Sequence, residues 1–235
     1  MKDQRHALTS YRAFILIGGL IAATFVALAA DAPTPEQEKN FFNGKDLTGW
    51  TGTEPWWSVK DGAIVGHAEN VPHNEFIWSN VEVKDFYLVM DVKLEPNDGN
   101  GGIQFRSQKQ PPHEAKGYQA DMGKGWWGKL YHESGRRILD NHDRGEKALK
   151  PGEWNHYEIL AVGHRIWTAI NGKLSVSYYD PQGELAGYIA FQMHAGGALN
   201  VSYKPIKLIH NPKVELIGMN ESELNAALEP KYDGK

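Results

Sequence analysis

Alternation between apolar and polar residues is the feature that most limits how this chain can fold. Between residues 86 and 94 every second residue is apolar, and residues 187–194 repeat the pattern. Side chains at positions i and i+2 of a strand point to the same face, so each segment predicts a strand with one buried face. Turn dipeptides that favour hairpins occur at Asn43-Gly44, Asp61-Gly62 and Asn171-Gly172.

About a dozen segments fit this strand pattern, and hardly any stretch has the helical period of about 3.6 residues. The alternating strand and helix units that build a parallel sheet are absent from the pattern. The 25 glycines and 12 prolines are typical of a chain with many turns. We therefore predict an all-β fold, an antiparallel two-sheet jelly-roll sandwich, with a short helical C-terminal tail.

The first thirty residues have the pattern of an export signal. Lys2, Arg5 and Arg12 precede an apolar run over residues 13–30, and Ala27-Leu28-Ala29 is a small-x-small cleavage motif. We predict a signal peptide over residues 1–30, with an N-terminal membrane anchor as the alternative because the run is near spanning length. Either way we expect the protein to be exported, to the periplasm or beyond the cell, with no membrane contact after cleavage.

The remaining chain divides into three segments. Residues 31–40 are polar, contain two prolines and predict a linker, whereas residues 41–211 contain the strand-like segments. Residues 212–235 form a tail, in which Asn220 and Glu223 fit a capping box before a short helix over residues 221–228. A single domain of this size can supply a sizeable core.

Composition excludes several kinds of chemistry. The chain has no cysteine, which rules out thiolate nucleophiles and cysteine-bound metals. The formal net charge is −4 and no basic block is present, so we expect no nucleic-acid partner. No HExxH motif occurs, and residues 97–100 are too short for an EF-hand loop. We expect no cofactor, leave a divalent cation such as Ca²⁺ as an alternative, and assign no metal ligands.

The stretch over residues 117–137 is rich in the side chains that bind sugars. It surrounds Trp126 and Trp127 with amide, carboxylate, imidazole and guanidinium groups, namely Gln119, Asp121, His132, Glu133, Arg136 and Arg137. Either indole is a candidate to stack on a sugar ring or to close the sandwich edge, and Arg136 is a candidate cation at the rim. His132 shares the face of Leu130, which favours a core or rim position.

Polar pairs at i and i+2 recur on four predicted strands. If the apolar alternates face the core, one surface receives Gln104 with Arg106, Gln119 with Asp121, Tyr131 with Glu133, and Gln192 with His194. Ordinary solvated faces carry mostly Lys, Glu, Thr and Ser. The pattern therefore predicts a carbohydrate site on this surface, against the simpler interpretation of a hydrated face.

Taken together, several ordered motifs resemble the secreted 3-keto-disaccharide hydrolase family, which has a concanavalin A-like sandwich. The matching segments are FNGKDLTGW at 42–50, VKDGAIVG at 59–66, GIQFR at 102–106, GYQAD at 117–121, GKLY at 128–131 and GEWN at 152–155. Each motif is weak alone, but their order and spacing are specific over residues 41–210.

The resemblance implies cleavage of glycosides already oxidised at C3 of a glucose unit. The ketone acidifies the C2 proton, a base removes it, the aglycone leaves C1, and water adds to the enone. On this hypothesis Asp121 or His194 is the base, Arg106 holds the enolate, and Glu133 or Tyr131 is the acid. Substrate hydroxyls would be held by Gln104, Gln119 and Gln192.

Other functions fit the same residues. A conventional two-carboxylate glycosidase would need Asp121 and Glu133 about 5–9.5 Å apart. A lectin-like carbohydrate-binding module would keep the indoles and amides but would not need Asp121. A surface structural module would bind no sugar at all.

Overall fold

A computed structural model describes residues 35–39, 41–52 and 55–230. The predicted signal peptide, the first residues of the predicted linker and the last five residues lie outside the described residues. Within this described part, no helix is long and apolar enough to span a membrane.

Strands make up most of the described chain, with two short helices. In chain order the elements are β1 (Glu36–Gln37), β2 (Trp50–Thr51), β3 (Trp57–Lys60), β4 (Ala63–Ala68), β5 (Glu75–Val83), β6 (Phe86–Glu95), β7 (Asn100–Gln110), β8 (Glu114–Gly123), β9 (Leu130–Glu133), β10 (Arg137–Asp140), α1 (Arg144–Ala148), β11 (Asn155–Val162), β12 (Arg165–Ile170), β13 (Lys173–Tyr179), β14 (Gly187–Met193), β15 (Leu199–His210) and α2 (Glu221–Ala226).

The strands form two antiparallel sheets. One, called here the cleft sheet, has the order β10-β9-β8-β7-β14-β5-β2. The other, called the tail sheet, has the order β13-β12-β11-β6-β15-β4-β3, with β1 paired to β15. The predicted two-sheet antiparallel sandwich is confirmed.

The core lies between the sheets, where the alternation predicted it. From β6, Phe86, Leu88 and Met90 are fully buried, and Phe105 and Met122 meet them from the cleft sheet. Because every second residue of these strands points inward, their polar neighbours face outward in rows. The apolar alternation therefore sets which face of the cleft sheet is available for a site.

The first strand and the C-terminal tail of the domain differ from the prediction. Glu36 and Gln37 pair with His210 and Ile209, so the sheet begins inside the segment predicted as linker. The tail packs on the outer face of the tail sheet, where Trp167 donates from Nε1 to the carbonyl of Leu224 at 3.0 Å. The capping box is present, and α2 ends at Ala226, two residues before the predicted end.

A β-bulge redirects the hairpin between β7 and β8. The register shifts between Phe105 and Gln108, and Arg106 has φ of +48°. Bulges bend a strand and re-aim the side chains that follow them. Beyond the bulge, residues 107–116 reach the start of β5, where the His113 ring stacks on His73 at 3.3 Å between centroids. The hairpin tip therefore forms one wall above the outer face of the cleft sheet.

Candidate functional site

Polar side chains on the outer face of the cleft sheet line a cleft of about 210 Å³. The residues that line it are Asn100, Gln119, Asp121, Trp126, Tyr131, Glu133 and His194. Five of the ten predicted site residues are among them: Gln119, Asp121, Tyr131, Glu133 and His194. The shared face follows from the strand register, because Gln119 pairs with Tyr131 and Gly117 with Glu133 across β8 and β9.

A chain of buried hydrogen bonds ends at Asp121. Ser107 donates from Oγ to Gln104 Oε1 at 2.8 Å, and Gln104 donates from Nε2 to Gln119 Oε1 at 2.6 Å. Gln119 then donates from Nε2 to Asp121 Oδ1 at 2.6 Å. In a low-dielectric setting such bonds polarise one another. The chain holds the carboxyl group of Asp121 in one orientation.

Burial makes the charged form of Asp121 unfavourable. Its side chain is 3% exposed, and this burial raises its pKa well above the usual value. The hydrogen bond from Gln119 and the charge of Lys129 lower the pKa, and the charge of Glu133 raises it further. No cation contacts the carboxylate directly among the described residues, so no paired charge offsets the burial that favours the protonated form.

Two neighbours of Asp121 in the cleft are also shifted. Burial, together with the negative charge of Glu114, raises the pKa of Glu133 to about 7. Burial raises the pKa of the Tyr131 hydroxyl above its usual value, so Tyr131 remains a donor at neutral pH. The cleft thus combines a buried carboxyl group with a raised pKa, a phenol, and a second carboxyl group whose pKa is about 7.

The cleft also has an aromatic and a cationic side. Trp126 is 39% exposed and meets the Tyr131 ring edge-on at 6.2 Å between centroids. Lys129 Nζ lies 5.4 Å from the centre of the Trp126 ring. Exposed His194 keeps its ring near the chain, with Nδ1 2.7 Å from the Ala195 carbonyl oxygen. An exposed indole beside hydrogen-bonding groups is the usual surface for stacking a sugar.

Comparison with protein families decides the identity of the domain. Residues 37–209 match the 3-keto-alpha-glucoside-1,2-lyase-like domain. The chain belongs to this family. The resemblance proposed from the sequence motifs is therefore confirmed. A comparison with curated proteins finds no match.

Solved structures share the fold of this 3-keto-alpha-glucoside-1,2-lyase-like domain. A candidate glycosyl hydrolase from Parabacteroides distasonis ATCC 8503 is 22% identical with a TM-score of 0.54, over 73% of this chain and 92% of that one. The carbohydrate-binding module CBM66 from Bacillus subtilis is 19% identical with a TM-score of 0.52, over 69% and 97%. At these identities the likeness shows the sandwich fold alone.

Arg106 does not lie on the cleft face, contrary to the prediction. The bulge turns its side chain away, and it is 1% exposed. Its guanidinium donates to the carbonyls of Lys84 at 2.8 Å and Gly163 at 2.7 Å, and it lies 3.3 Å from Asp85 Oδ1. These bonds connect the cleft sheet to loops of the tail sheet. Arg106 is a structural cross-link in this member of the family.

Arg136 and Trp127, both candidates for binding substrate, also lie outside the cleft. Arg136 pairs with Asp180 at 2.6 Å and lies over the Tyr118 ring, outside the residues that line the cleft. Trp127 is 1% exposed and belongs to the core between the sheets. Trp126, one residue earlier, takes the exposed position instead.

Two predicted amides share the cleft face but are covered. Gln104 is fully buried, and its bonds to Ser107 and Gln119 use both ends of its amide. Gln192 is fully buried too, and its amide atoms have no hydrogen-bond partner among the described residues. Neither side chain lines the cleft, so the role predicted for them in holding substrate hydroxyls remains a prediction.

Sequence reasoning missed three residues of the site, which are Asn100, Lys129 and Glu114. Lys129 alternates with core residue Leu130, so the period-two pattern already pointed it outward. Asn100 opens β7, within the glycine- and asparagine-rich residues 97–102, where no period-two pattern assigns it a face. Glu114 acts on Glu133 only because the bulged hairpin brings it close, for which the local pattern holds no signal.

Proposed function

We propose that this protein cleaves 3-keto-glycosides by elimination followed by addition of water. The C2–H bond breaks and its electrons form an enolate on the C3 oxygen. The enolate then re-forms the ketone as the C1–O bond breaks, which leaves a C1=C2 double bond, and the departing oxygen takes a proton. Water adds to this enone, which gives net hydrolysis. Membership of the family supports the substrate class, and the carboxyl groups of the cleft support the proton transfers.

Glu133 is the proposed base at C2. A general base works best when its pKa lies near the working pH, because it is then both ionised and basic. The pKa of about 7 for Glu133 meets this condition. This is the observation that carries the proposal.

Asp121 is the proposed acid for the leaving oxygen. It lines the cleft, it is held by Gln119, and burial raises its pKa well above the usual value, which favours the protonated form. Environments that drive two pKa values apart assign the acid and the base. The roles that the motifs suggested for Asp121 and Glu133 are thus exchanged in this proposal.

Lys129 takes the role first given to Arg106. Its charge acts on Asp121, and its ammonium group lies beside Trp126 of the cleft. A fixed positive charge near the C3 oxygen stabilises the developing enolate. Tyr131 and His194 are then available to bind the remaining hydroxyls, and Trp126 to stack on the ring.

A conventional two-carboxylate glycosidase is the competing use of the same cleft. Asp121 and Glu133 both line it, from the neighbouring strands β8 and β9. Such a pair has carboxyl groups about 5–9.5 Å apart and needs no ketone at C3, so the substrate separates the two reactions. Cleavage of unoxidised sugar is the outcome against which the proposal is tested.

A sugar-binding module is the second candidate function. The exposed indole of Trp126 and the likeness in fold to a carbohydrate-binding module favour it. A module without catalysis has no need for two carboxyl groups with raised pKa values in one cleft. Saturable sugar binding without any product would decide for this function.

Product analysis tests the proposal directly. The purified protein would be incubated in D₂O with a 3-keto-disaccharide and with its unoxidised parent, and the products identified by NMR. We expect only the keto sugar to be cleaved. Its cleavage should be slower when C2 of the substrate carries deuterium instead of hydrogen. Equal cleavage of the parent would establish a conventional glycosidase and overturn the elimination.

We further propose that the protein acts outside the cytoplasm. The charged start, apolar run and cleavage motif of residues 1–30 support this localisation. Fractionation of expressing cells and N-terminal sequencing of the protein would test it, and a cytoplasmic protein with an intact N-terminus would contradict it.

A further inference from the structure

Two histidines and a glutamate meet where the hairpin tip touches the cleft sheet. His73 lies two residues before the first residue of β5, Glu75 opens that strand, and His113 lies just before β8. One donor atom from each lies within 4.8 Å of the other two. Glu75 Oε1 is 2.9 Å from His73 Nδ1 and 3.8 Å from His113 Nδ1.

The donor atoms of this cluster lack ordinary partners. The Glu75 side chain is 2% exposed, and its Oε1 has no hydrogen bond among the described residues. His73 Nδ1 is likewise buried without a hydrogen bond there, since its short distance to Glu75 does not have donor–acceptor geometry. Buried polar atoms in folded proteins are normally satisfied, so an orphaned pair indicates an absent partner.

The chemistry of the donors selects the partner. Two imidazole nitrogens and one carboxylate oxygen form a three-ligand set that binds Zn²⁺ and leaves a position for water. Ca²⁺ requires six to eight oxygen ligands, which this cluster does not offer. Two imidazole rings stacked at 3.3 Å between centroids bring two such nitrogen ligands beside one carboxylate, which is a donor set suited to a cation.

We propose that His73, Glu75 and His113 bind one divalent transition-metal ion, for which Zn²⁺ is the best fit. The ion ties the tip of the β7–β8 hairpin to the start of β5. The three donor atoms already lie within 4.8 Å of one another, so the two stacked rings need to turn toward a common point to reach zinc–ligand distances of about 2.0–2.2 Å. The site does not depend on the proposed reaction.

The metal ion would act as a clamp between the hairpin tip and β5, and it would affect the cleft through the residues next to its ligands. Asn74 donates from Nδ2 to the Glu114 carboxylate at 3.1 Å and accepts from the backbone N–H of Ala195 at 3.0 Å. Glu114 raises the pKa of Glu133, and Ala195 follows His194 in the chain. A metal ion that fixes His73 and His113 therefore also restrains Glu114, which acts on Glu133, and the backbone next to His194.

Metal titration of the untagged protein tests the site. After removal of metals with EDTA and dialysis, Zn²⁺ binding would be followed by calorimetry and the bound metal counted by mass spectrometry. We expect one Zn²⁺ per chain, and at least about 100-fold weaker binding for His113→Ala, because even outer-shell changes cost about 10–100-fold. His67→Ala is the matched control, since His67 is exposed on β4 and outside the cluster, and its affinity should equal that of the wild type.

Two further measurements separate binding from folding. Glu75→Gln keeps the side-chain shape and removes the charge, and it should weaken Zn²⁺ binding without lowering the unfolding temperature measured in EDTA. Hydrogen exchange of residues 107–116 should slow when Zn²⁺ is added to the wild type. Absence of saturable binding, or equal affinities for His113→Ala and His67→Ala, would overturn the site. Binding without any protection of the hairpin would overturn the clamp.

Discussion

Asp121 and Asp180 lie in different parts of the sandwich and are buried alike, at 3% and 4% exposure, yet their pKa values are shifted in opposite directions. Burial raises the pKa of both. For Asp180, hydrogen bonds from Arg136 at 2.8 Å and Tyr118 at 2.5 Å outweigh burial and leave its pKa below the usual value. For Asp121 the main partner is the neutral amide of Gln119, and its pKa stays well above the usual value.

The difference teaches how to separate structural from functional polar groups in this fold. Burial alone does not distinguish the two carboxyl groups. Direct contact with a cation does, because a paired charge is stable and chemically silent whereas an unpaired one keeps its proton. The region around Asp180, Arg136 and Arg106 is paired, and the cleft region is left unpaired.

Removal of Asp121 should have the largest effect on activity. Asp121→Asn removes the proposed acid but keeps an oxygen to accept from Gln119. We expect turnover of a 3-keto-glucoside to fall about 10²–10⁴-fold, the usual contribution of a general acid, with stability unchanged or higher. Steady-state kinetics and urea unfolding measure the two effects. Normal turnover by Asp121→Asn would show that the unpaired carboxyl group of Asp121 has no catalytic role.

Removal of Arg106 should have the largest effect on stability. Arg106→Met removes the donor to the carbonyls of Lys84 and Gly163, whereas Asp85 Oδ1 keeps the backbone N–H of Gly163. We expect the free energy of unfolding to fall by about 3 kcal/mol, because hydrogen bonds from a charged donor contribute about 1.5–3 kcal/mol each. The folded fraction should keep its kcat, measured well below the unfolding midpoint. Lys116→Met, at an exposed position of the same hairpin, is the control. If Arg106→Met lost its kcat while its stability stayed unchanged, Arg106 would have to be a residue of the active site.

Asp180 should influence stability through pH. Its folded pKa is lowered from the ordinary 3.8, so its stabilisation is complete above that value and is lost as pH falls through the folded pKa. Asp180→Asn should lower the free energy of unfolding near neutral pH by about 1–3 kcal/mol, as for hydrogen bonds to charged groups. The deficit should shrink in acid, which urea unfolding across the acid range measures. A deficit independent of pH would show that the pair carries no charge.

The period-two pattern predicted the site as far as the strands stay regular. Gln119, Asp121, Tyr131 and Glu133 share a face because β8 and β9 pair without a bulge over these residues. The same rule failed at Arg106, where one bulge reverses inside and outside. It also failed for the adjacent indoles, since Trp126 and Trp127 lie in a turn with no strand period.

Contacts between distant parts of the chain were beyond local pattern. Arg136 meets Asp180, 44 residues later, and Asn74 meets Glu114, 40 residues later. Such pairs depend on strand order and loop path, for which a single sequence has no direct signal. The fold was therefore predictable from alternation, whereas the charge state of each carboxyl group required the pairing.

The smallest expected effect comes from Glu114, which tunes Glu133 without serving as the acid or base. Burial is the main cause of the Glu133 pKa of about 7, and Glu114 adds to it. As a base, Glu133 must be ionised, so activity should decline as pH falls below about 7. Glu114→Gln keeps the shape that accepts from Asn74 and removes the negative charge. It should move this acid limb to lower pH by a fraction of a unit, measured as kcat/KM against pH.

Glu114→Gln should also change the stability of the protein. The pH dependence of stability that comes from Glu133 is opposite in sign to that from Asp180. Glu133 binds its proton more tightly when folded, so its contribution to stability is complete below the ordinary value of 4.5 and is lost as pH rises through about 7. Glu114→Gln should reduce that loss and raise stability slightly at neutral pH. Glu82→Gln, at an exposed position of β5, should change neither profile. If Glu114→Gln leaves the acid limb of the kcat/KM profile in place or moves it to higher pH, Glu133 is not the general base.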